Sequence, residues 1–191
     1  MLLESVNVMN HQNQKNEARI GEASRRFLDV IDQPGVHPLI RVASEFFGVP
    51  VLLTDERFRI RSVWPRDGTG VEELDDSIRG GSIKAEREWE ILDENLSGVN
   101  AFYEPFYAST GICARLPRIY GELVWENEVR GHVIVYLGRR PFQQEDLDIV
   151  RKLVNLLSLK LRRHQVGMDR WTATLQAKLE VLLDPSTPPQ V

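Results

Sequence analysis

The sequence predicts an α+β domain: a central antiparallel sheet, a helical insert between its strands, and flanking N- and C-terminal helices. Three observations carry that expectation. Residues 49–64 and 115–137 each read as two strand-like runs joined by a turn. Between them, residues 70–96 lose the strand pattern and take up helical spacing. Outside them, the apolar residues before 48 and after 143 recur every three to four positions, as on one face of a helix. Hairpin-linked strands with helices gathered apart from them belong to the α+β class.

Residues 12–31 hold good helix formers, with Ile20, Ala23, Phe27 and Ile31 in a narrow apolar stripe that Gln33-Pro34-Gly35 ends. A second helix follows, with Leu39, Val42, Ala43, Phe46 and Phe47 on one face. Pro38 suits its first turn and Gly48 its stop. Residues 49–54 are almost wholly apolar, as in a strand covered on both faces. From Phe58 to Trp64 the alternation predicts Phe58, Ile60, Ser62 and Trp64 on one face, with Arg59, Arg61 and Val63 on the other. In the insert, Val71, Leu74 and Ile78 predict a short helix ending at Gly80-Gly81. Ala85, Trp89, Leu92 and Leu96 predict a second helix capped by Ser82. A short strand is expected near Phe106.

Pro117 is expected at a strand start or edge, because it cannot donate to a ladder. Ile119, Leu123 and Trp125 share one face of the next strand, and Glu126-Asn127-Glu128 turns the chain. Residues 131–137 are apolar on both faces and read as the central strand. The acidic pair Glu145-Asp146 and the basic pair Arg162-Arg163 suit the two ends of a long helix. On it Leu147, Val150, Val154, Leu157 and Leu161 step by three and four. Met168, Trp171, Leu175 and Leu182 continue that phase, before a DPSTPPQV tail that reads as a linker. The organisation expected is an N-terminal helical extension (1–35), a sensor-type domain (36–164), and a C-terminal helix and linker (165–191).

Composition narrows function. Of the 191 residues, 42% are hydrophobic and 27% charged, as in ordinary globular proteins. No apolar run reaches the ~18–20 residues that span a bilayer, and the first residues lack the basic and apolar regions of a signal peptide. A cytoplasmic location, away from membranes, is expected. The single cysteine excludes an internal disulfide. A net charge of −4 argues against gripping nucleic acid, whose binding relies on neutralised phosphates.

No catalytic constellation emerges, so no enzyme activity and no cofactor or metal are expected. His11, His37, His132 and His164 are far apart, and none has a second ligand at i+3 or i+4. Cys113 reads better as a small buried hydrophobe than as a nucleophile, because no activating base stands near it in sequence. Gly68-Thr69-Gly70 and Gly80-Gly81 lack the Lys-Ser/Thr of a phosphate loop. The carboxylates of residues 86–94 read as the solvated face of a helix. Residues 40–61 superficially resemble a helix-turn-helix, but the would-be recognition helix opens with VPVLL and continues with period two.

The aromatic segment Phe102, Tyr103, Phe106 and Tyr107 is denser than a solvated loop bears. It forms either a satellite core closing one end of the sheet or a ligand pocket. On the second reading the candidate lining is Trp64, Trp89, Phe102, Tyr103, Phe106, Tyr107, Cys113 and Arg115. Ile20, Phe27, Ile31, Leu147, Val150, Val154, Leu157 and Leu161 form candidate seams by which terminal helices would pair two chains. The same spacing also suits helices lying on their own sheet, and both uses are expected.

Residues 37–63 (HPLIRVASEFFGVPVLLTDERFRIRSV) resemble the opening helix and hairpin of GAF-like input domains, above all those of PucR/CdaR-type (purine-catabolism and sugar-diacid) transcriptional regulators. Residues 114–161 continue the likeness with two strands around a turn, Gly131 before the last strand, and Pro141, Phe142, Glu145 and Asp146 opening a helix. The resemblance spans roughly residues 36–183. It implies a GAF/PAS-like fold and a ligand-sensing, dimerising signal-input role with a small-molecule metabolite as ligand. It does not extend to the helix-turn-helix of those regulators, so direct DNA binding by these residues is not expected. The rival expectation is a ligand-free structural dimerisation or protein-interaction module.

Overall fold

A computed structural model describes residues 2–84, 88, 90–92 and 104–163, with side chains from residue 12 onward except Ile112. Helix α1 (Leu2–Leu28) leads through turns to α2 (His37–Phe47). Strands β1 (Val51–Asp55) and β2 (Ile60–Trp64) precede α3 (Glu72–Gly80). Residues 88 and 90–92 are helical. Strand β3 (Phe106–Ala108) and a 3₁₀ turn (Gly111–Arg115) lead into β4 (Arg118–Trp125), β5 (Glu128–Tyr136) and helix α4 (residues 145–163). The strands form one antiparallel open sheet in the order β2-β1-β5-β4-β3. The expected α+β class is therefore observed, with β5 at the centre.

Local signals explain the boundaries. Pro38 lies in the first turn of α2, and Gly48 ends it in the left-handed conformation, its N–H returning to the Ser44 carbonyl. Gly81 ends α3 in the same way. Glu126 and Asn127 both adopt positive φ, as a tight two-residue hairpin between β4 and β5 requires. The Asp55 carboxylate orders the β1–β2 turn. It accepts from the backbone N–H groups of Arg57 (3.0 Å) and Arg59 (2.9 Å), and pairs with the Arg59 and Arg61 guanidiniums.

One predicted face is corrected. A bulge opposite Leu53/Thr54 aligns Thr54 with Ile60 and Leu53 with Ser62, so Arg61 is an extra residue in β2. Phe58 and Ile60 therefore share a core with Val63, whereas Trp64 packs on the other face. Helix α1 also begins earlier than its apolar stripe, at Leu2, and α2 buries Ile40 in place of Val42 and Phe46, which are half-buried.

The sheet carries two cores of unlike chemistry. On one face α1, α2 and α4 cover Val51, Leu53, Ile119, Leu123, Val133 and Val135. Helix α4 lies close to β4 because Gly121 has no side chain. A Cβ there would meet Val154 Cγ2 at 2.6 Å and Val150 Cγ1 at 3.0 Å. A buried carboxylate ties this layer together. Asp146 accepts from Arg140 (2.8 and 2.9 Å), Arg19 (2.7 Å) and the Gln143 N–H (3.0 Å), joining α1 to the start of α4. Burial alone would push the Asp146 carboxyl up, but Arg140, Arg19 and the Gln143 N–H outweigh it and hold it below the usual carboxylate range. Lys160 reaches from α4 to the Ile31 and Gln33 carbonyls beyond α1.

The terminal stripes belong to this core. Phe27, Val150, Val154 and Leu157 are buried within the chain, and Ile20, Ile31, Leu147 and Leu161 pack against them. These eight side chains cover the chain's own sheet, so in this arrangement the buried ones present no surface to a second copy. The expected continuation through Met168, Trp171, Leu175 and Leu182, with the 165–191 segment, lies outside the described residues.

Of the strand glycines Gly121 and Gly131, Gly131 leaves less room, since a Cβ there would lie 2.2 Å from the Thr54 carbonyl oxygen. At Gly121 only valine methyls obstruct, and they can rotate. Gly131→Ala is therefore expected to destabilise the fold more than Gly121→Ala, whose overpacking costs about 1–3 kcal/mol. Urea unfolding of the two variants checks the order.

Candidate functional site

The second face of the sheet is where polar side chains are buried. On β4 the pleat sends Ile119, Gly121 and Leu123 toward the helices and Arg118, Tyr120 and Glu122 the opposite way. On β5 the same face carries His132, Ile134 and Tyr136. Leu74 of α3, Ile83, Ile91 and Leu92 supply its apolar cover.

At one end of this face lies a buried ion pair. Glu88, 1% exposed, sits 3.0 Å from Nη1 of Arg118, which is 3% exposed. Tyr120 donates its hydroxyl to the second Glu88 oxygen. Arg118 Nε donates to the Leu116 carbonyl (3.1 Å), and the guanidinium lies over the Tyr136 ring at 4.7 Å. Burial pushes the Tyr136 phenol far above its usual value, so it stays protonated and remains a donor.

These groups floor a cleft of about 230 Å³. Glu73, Asp76 and Ser77 of α3 form one wall, and Ser82, Ile83 and Lys84 form the other. The cleft is small beside the ~300–1,000 Å³ of drug-sized sites, but its buried, convergent polar groups fit the general anatomy of a ligand site. Its described lining offers both donors and acceptors. Among the described residues no group of three His, Cys, Asp or Glu side chains gathers to hold a metal ion.

Further along the face, Thr54, His132 and Glu122 stand in register across β1, β5 and β4, all buried. The His132 ring stacks on Phe58 at 4.5 Å. Burial pulls its imidazole down to about 4, against weaker support from Asp55 and Glu56. Burial likewise pushes the Glu122 carboxyl up.

The described members of the aromatic pocket expected from sequence lie apart from one another. Phe106 and Tyr107 are neighbours in β3 and point to opposite faces. Phe106 stacks on Tyr120 (5.2 Å), while Tyr107 stacks on Phe142 (4.3 Å). Trp64 stands at the far edge of the sheet, on the helix-covered face, with its ring against His37 (5.7 Å). Cys113 is buried in the second core, and Arg115 is exposed. Trp89, Phe102 and Tyr103 lie outside the described residues, as do the side chain of His11 and residue His164. His37 opens α2, its Nδ1 3.0 Å from Ser62 Oγ.

Glu88 corrects a second expectation. It belongs to the acidic run read as a solvated helix face, yet it is buried against Arg118. Neither Arg118 nor Tyr136 stood out in sequence, although the polar residues alternating with Ile119 and Leu123 in a strand paired on both sides are the signal that finds them. Searches against protein-family models and curated proteins return no match for the chain.

A buried neutral histidine makes stability depend on pH in a defined window. Between the ordinary value of 6.5 and about 4, the unfolded chain takes up a proton at His132 that the native chain refuses. Stability is therefore full above pH 6.5 and falls as pH drops toward 4, by roughly 3 kcal/mol from this group. Urea unfolding across that window is expected to show a shallower pH slope in His132→Leu than in the natural chain.

Proposed function

We propose that the chain is a non-enzymatic signal-input domain of a bacterial transcriptional regulator, GAF/PAS-like in architecture, that senses a small metabolite and works as a homodimer. The observation that carries this reading is the cleft under α3, whose floor holds the buried Arg118 guanidinium and Tyr136 ring. An antiparallel sheet with an insert between β2 and β3 and flanking helices also supports it, being the arrangement that the sequence resemblance implies.

The layout supplies a route for a signal. A ligand in the cleft touches α3 on one side and Arg118 and Tyr136 on the other. Those residues sit at the start of β4 and the end of β5, and β5 leads through residues 137–144 into α4. A ligand that binds two arrangements of this segment unequally shifts their populations, and only the difference in affinity counts. The Asp146 cluster at the head of α4 would pass such a shift to α1.

The rival reading, a ligand-free dimerisation module, draws on a specific observation too. The aromatic rings at Phe106 and Tyr107 are stacked on partners, so the end of the sheet near β3 is filled. Ligand binding separates the two. A metabolite screen by thermal shift is expected to give a hit that Ser77→Trp, which fills the cleft from α3, abolishes without altering the far-UV spectrum. No hit at millimolar concentration favours the packed module.

For the dimer, the large apolar side chains left exposed among the described residues are Leu28 (58%) and Leu159 (44%), on α1 and α4. The double substitution Leu28→Glu, Leu159→Glu is expected to yield a folded monomer by light scattering. An unchanged dimer mass rules out this surface.

A further inference from the structure

We propose that the mooring of the insert beside His132 is an acid-sensitive latch, which opens locally when the imidazole takes up a proton. The latch works without a ligand and so stands apart from the sensing role. Its basis is the geometry around the β1–β2 turn. The His132 ring, 1% exposed, lies against Phe58 with centroids 4.5 Å apart and planes 11° from parallel. Phe58 is itself fully buried and holds a φ of +58°, a conformation that bulky residues rarely adopt, so packing has to keep it there. The same turn carries the start of the insert. The Phe58 carbonyl accepts from the Ile83 N–H (3.0 Å), the Gly81 carbonyl accepts from the Ile60 N–H (2.8 Å), and Arg59 bridges to Ser82. Ser82, Ile83 and Lys84 are also one wall of the α3 cleft, so release of the turn takes that wall with it.

An imidazolium does not suit this place, because a buried cation needs water or a committed counter-charge. The Asp55 carboxylate, beside the ring on β1, is engaged by the Arg57 and Arg59 N–H groups and by the Arg59 and Arg61 guanidiniums. Glu56, in the turn, is exposed. Glu122 stands across from His132 on β4, where burial favours its neutral form. From the insert, Glu88 is committed to Arg118 and Tyr120. Opening the turn hydrates the ring, so opening and proton uptake go together. In the closed state the imidazole charges at about 4, against an ordinary value of 6.5, because burial disfavours the cation. Below pH 6.5 each further unit therefore favours the open turn by up to about tenfold. Glu122, raised in the closed state, favours closure as pH falls toward its ordinary 4.5 and so opposes His132. Asp55, lowered in the closed state, adds to opening only near and below its ordinary 3.8.

Amide hydrogen exchange on the full chain between about pH 7.5 and 5, corrected for intrinsic rates, tests this. Leu137, whose N–H bonds the Pro117 carbonyl at 2.8 Å, is the reference. Ile60 and Ile83 are expected to be less protected than Leu137, and to lose protection by about threefold to tenfold per pH unit below 6.5. In His132→Leu that loss is expected to vanish, and in Glu122→Gln to steepen. Equal protection of Ile83 and Leu137 would mean that the turn opens only with the whole fold. Lower protection with an unchanged slope in His132→Leu would mean that the proton acts elsewhere. Either result overturns the latch. Titration of the His132 imidazole by NMR in the natural chain frees the test from any variant. It is expected below about pH 5, and titration near 6.5 with Ile83 still protected overturns the inference as well.

Discussion

The pleat of β4 decides what each face of the sheet has to accommodate. Successive residues of a strand point to opposite faces, and β4 alternates Arg118, Tyr120 and Glu122 with Ile119, Gly121 and Leu123. One face can therefore be closed by apolar helices, and the other must satisfy buried charges. Gly121 lets α4 approach the first face closely, while Arg118 obliges the insert to supply Glu88 on the second. An isolated guanidinium in that position would be prohibitive, and a paired one is tolerable.

Two buried carboxylates illustrate how differently the two layers use charge. Asp146 is saturated by Arg19, Arg140 and the Gln143 N–H, and every one of these partners belongs to the helical layer or to the segment entering it. It works as a joint. Glu88 is engaged by Arg118 and Tyr120 at the floor of the α3 cleft.

Much of the fold could be read from sequence because its signals are local. Pro38 and Gly48 bound α2, Gly81 ends α3, and Asn127 turns the β4–β5 hairpin. The doubly apolar run 131–137 identifies the central strand. What escaped depends on distant partners. The extra residue Arg61 leaves the alternation of β2 superficially intact while exchanging its faces. Glu88 looks solvated until Arg118, thirty residues away, is placed beside it. The three-to-four spacing of Phe27, Val154 and Leu157 serves equally for a partner chain or for the chain's own sheet, and pattern alone does not separate the two. In the aromatic cluster near residue 106, Phe106 and Tyr107 are adjacent strand residues and point to opposite faces, which composition alone does not reveal.

Glu88 and Arg118 meet at 3.0 Å as a buried pair that shapes the insert-covered face. A double-mutant cycle in unfolding free energy, with Glu88→Gln, Arg118→Met and the combination, measures it directly. A coupling of about 1–3 kcal/mol is expected, because each single change leaves the other group buried without its partner. Additivity to within about 0.5 kcal/mol would mean that the two side chains do not meet, and the floor of the cleft would have to be redrawn.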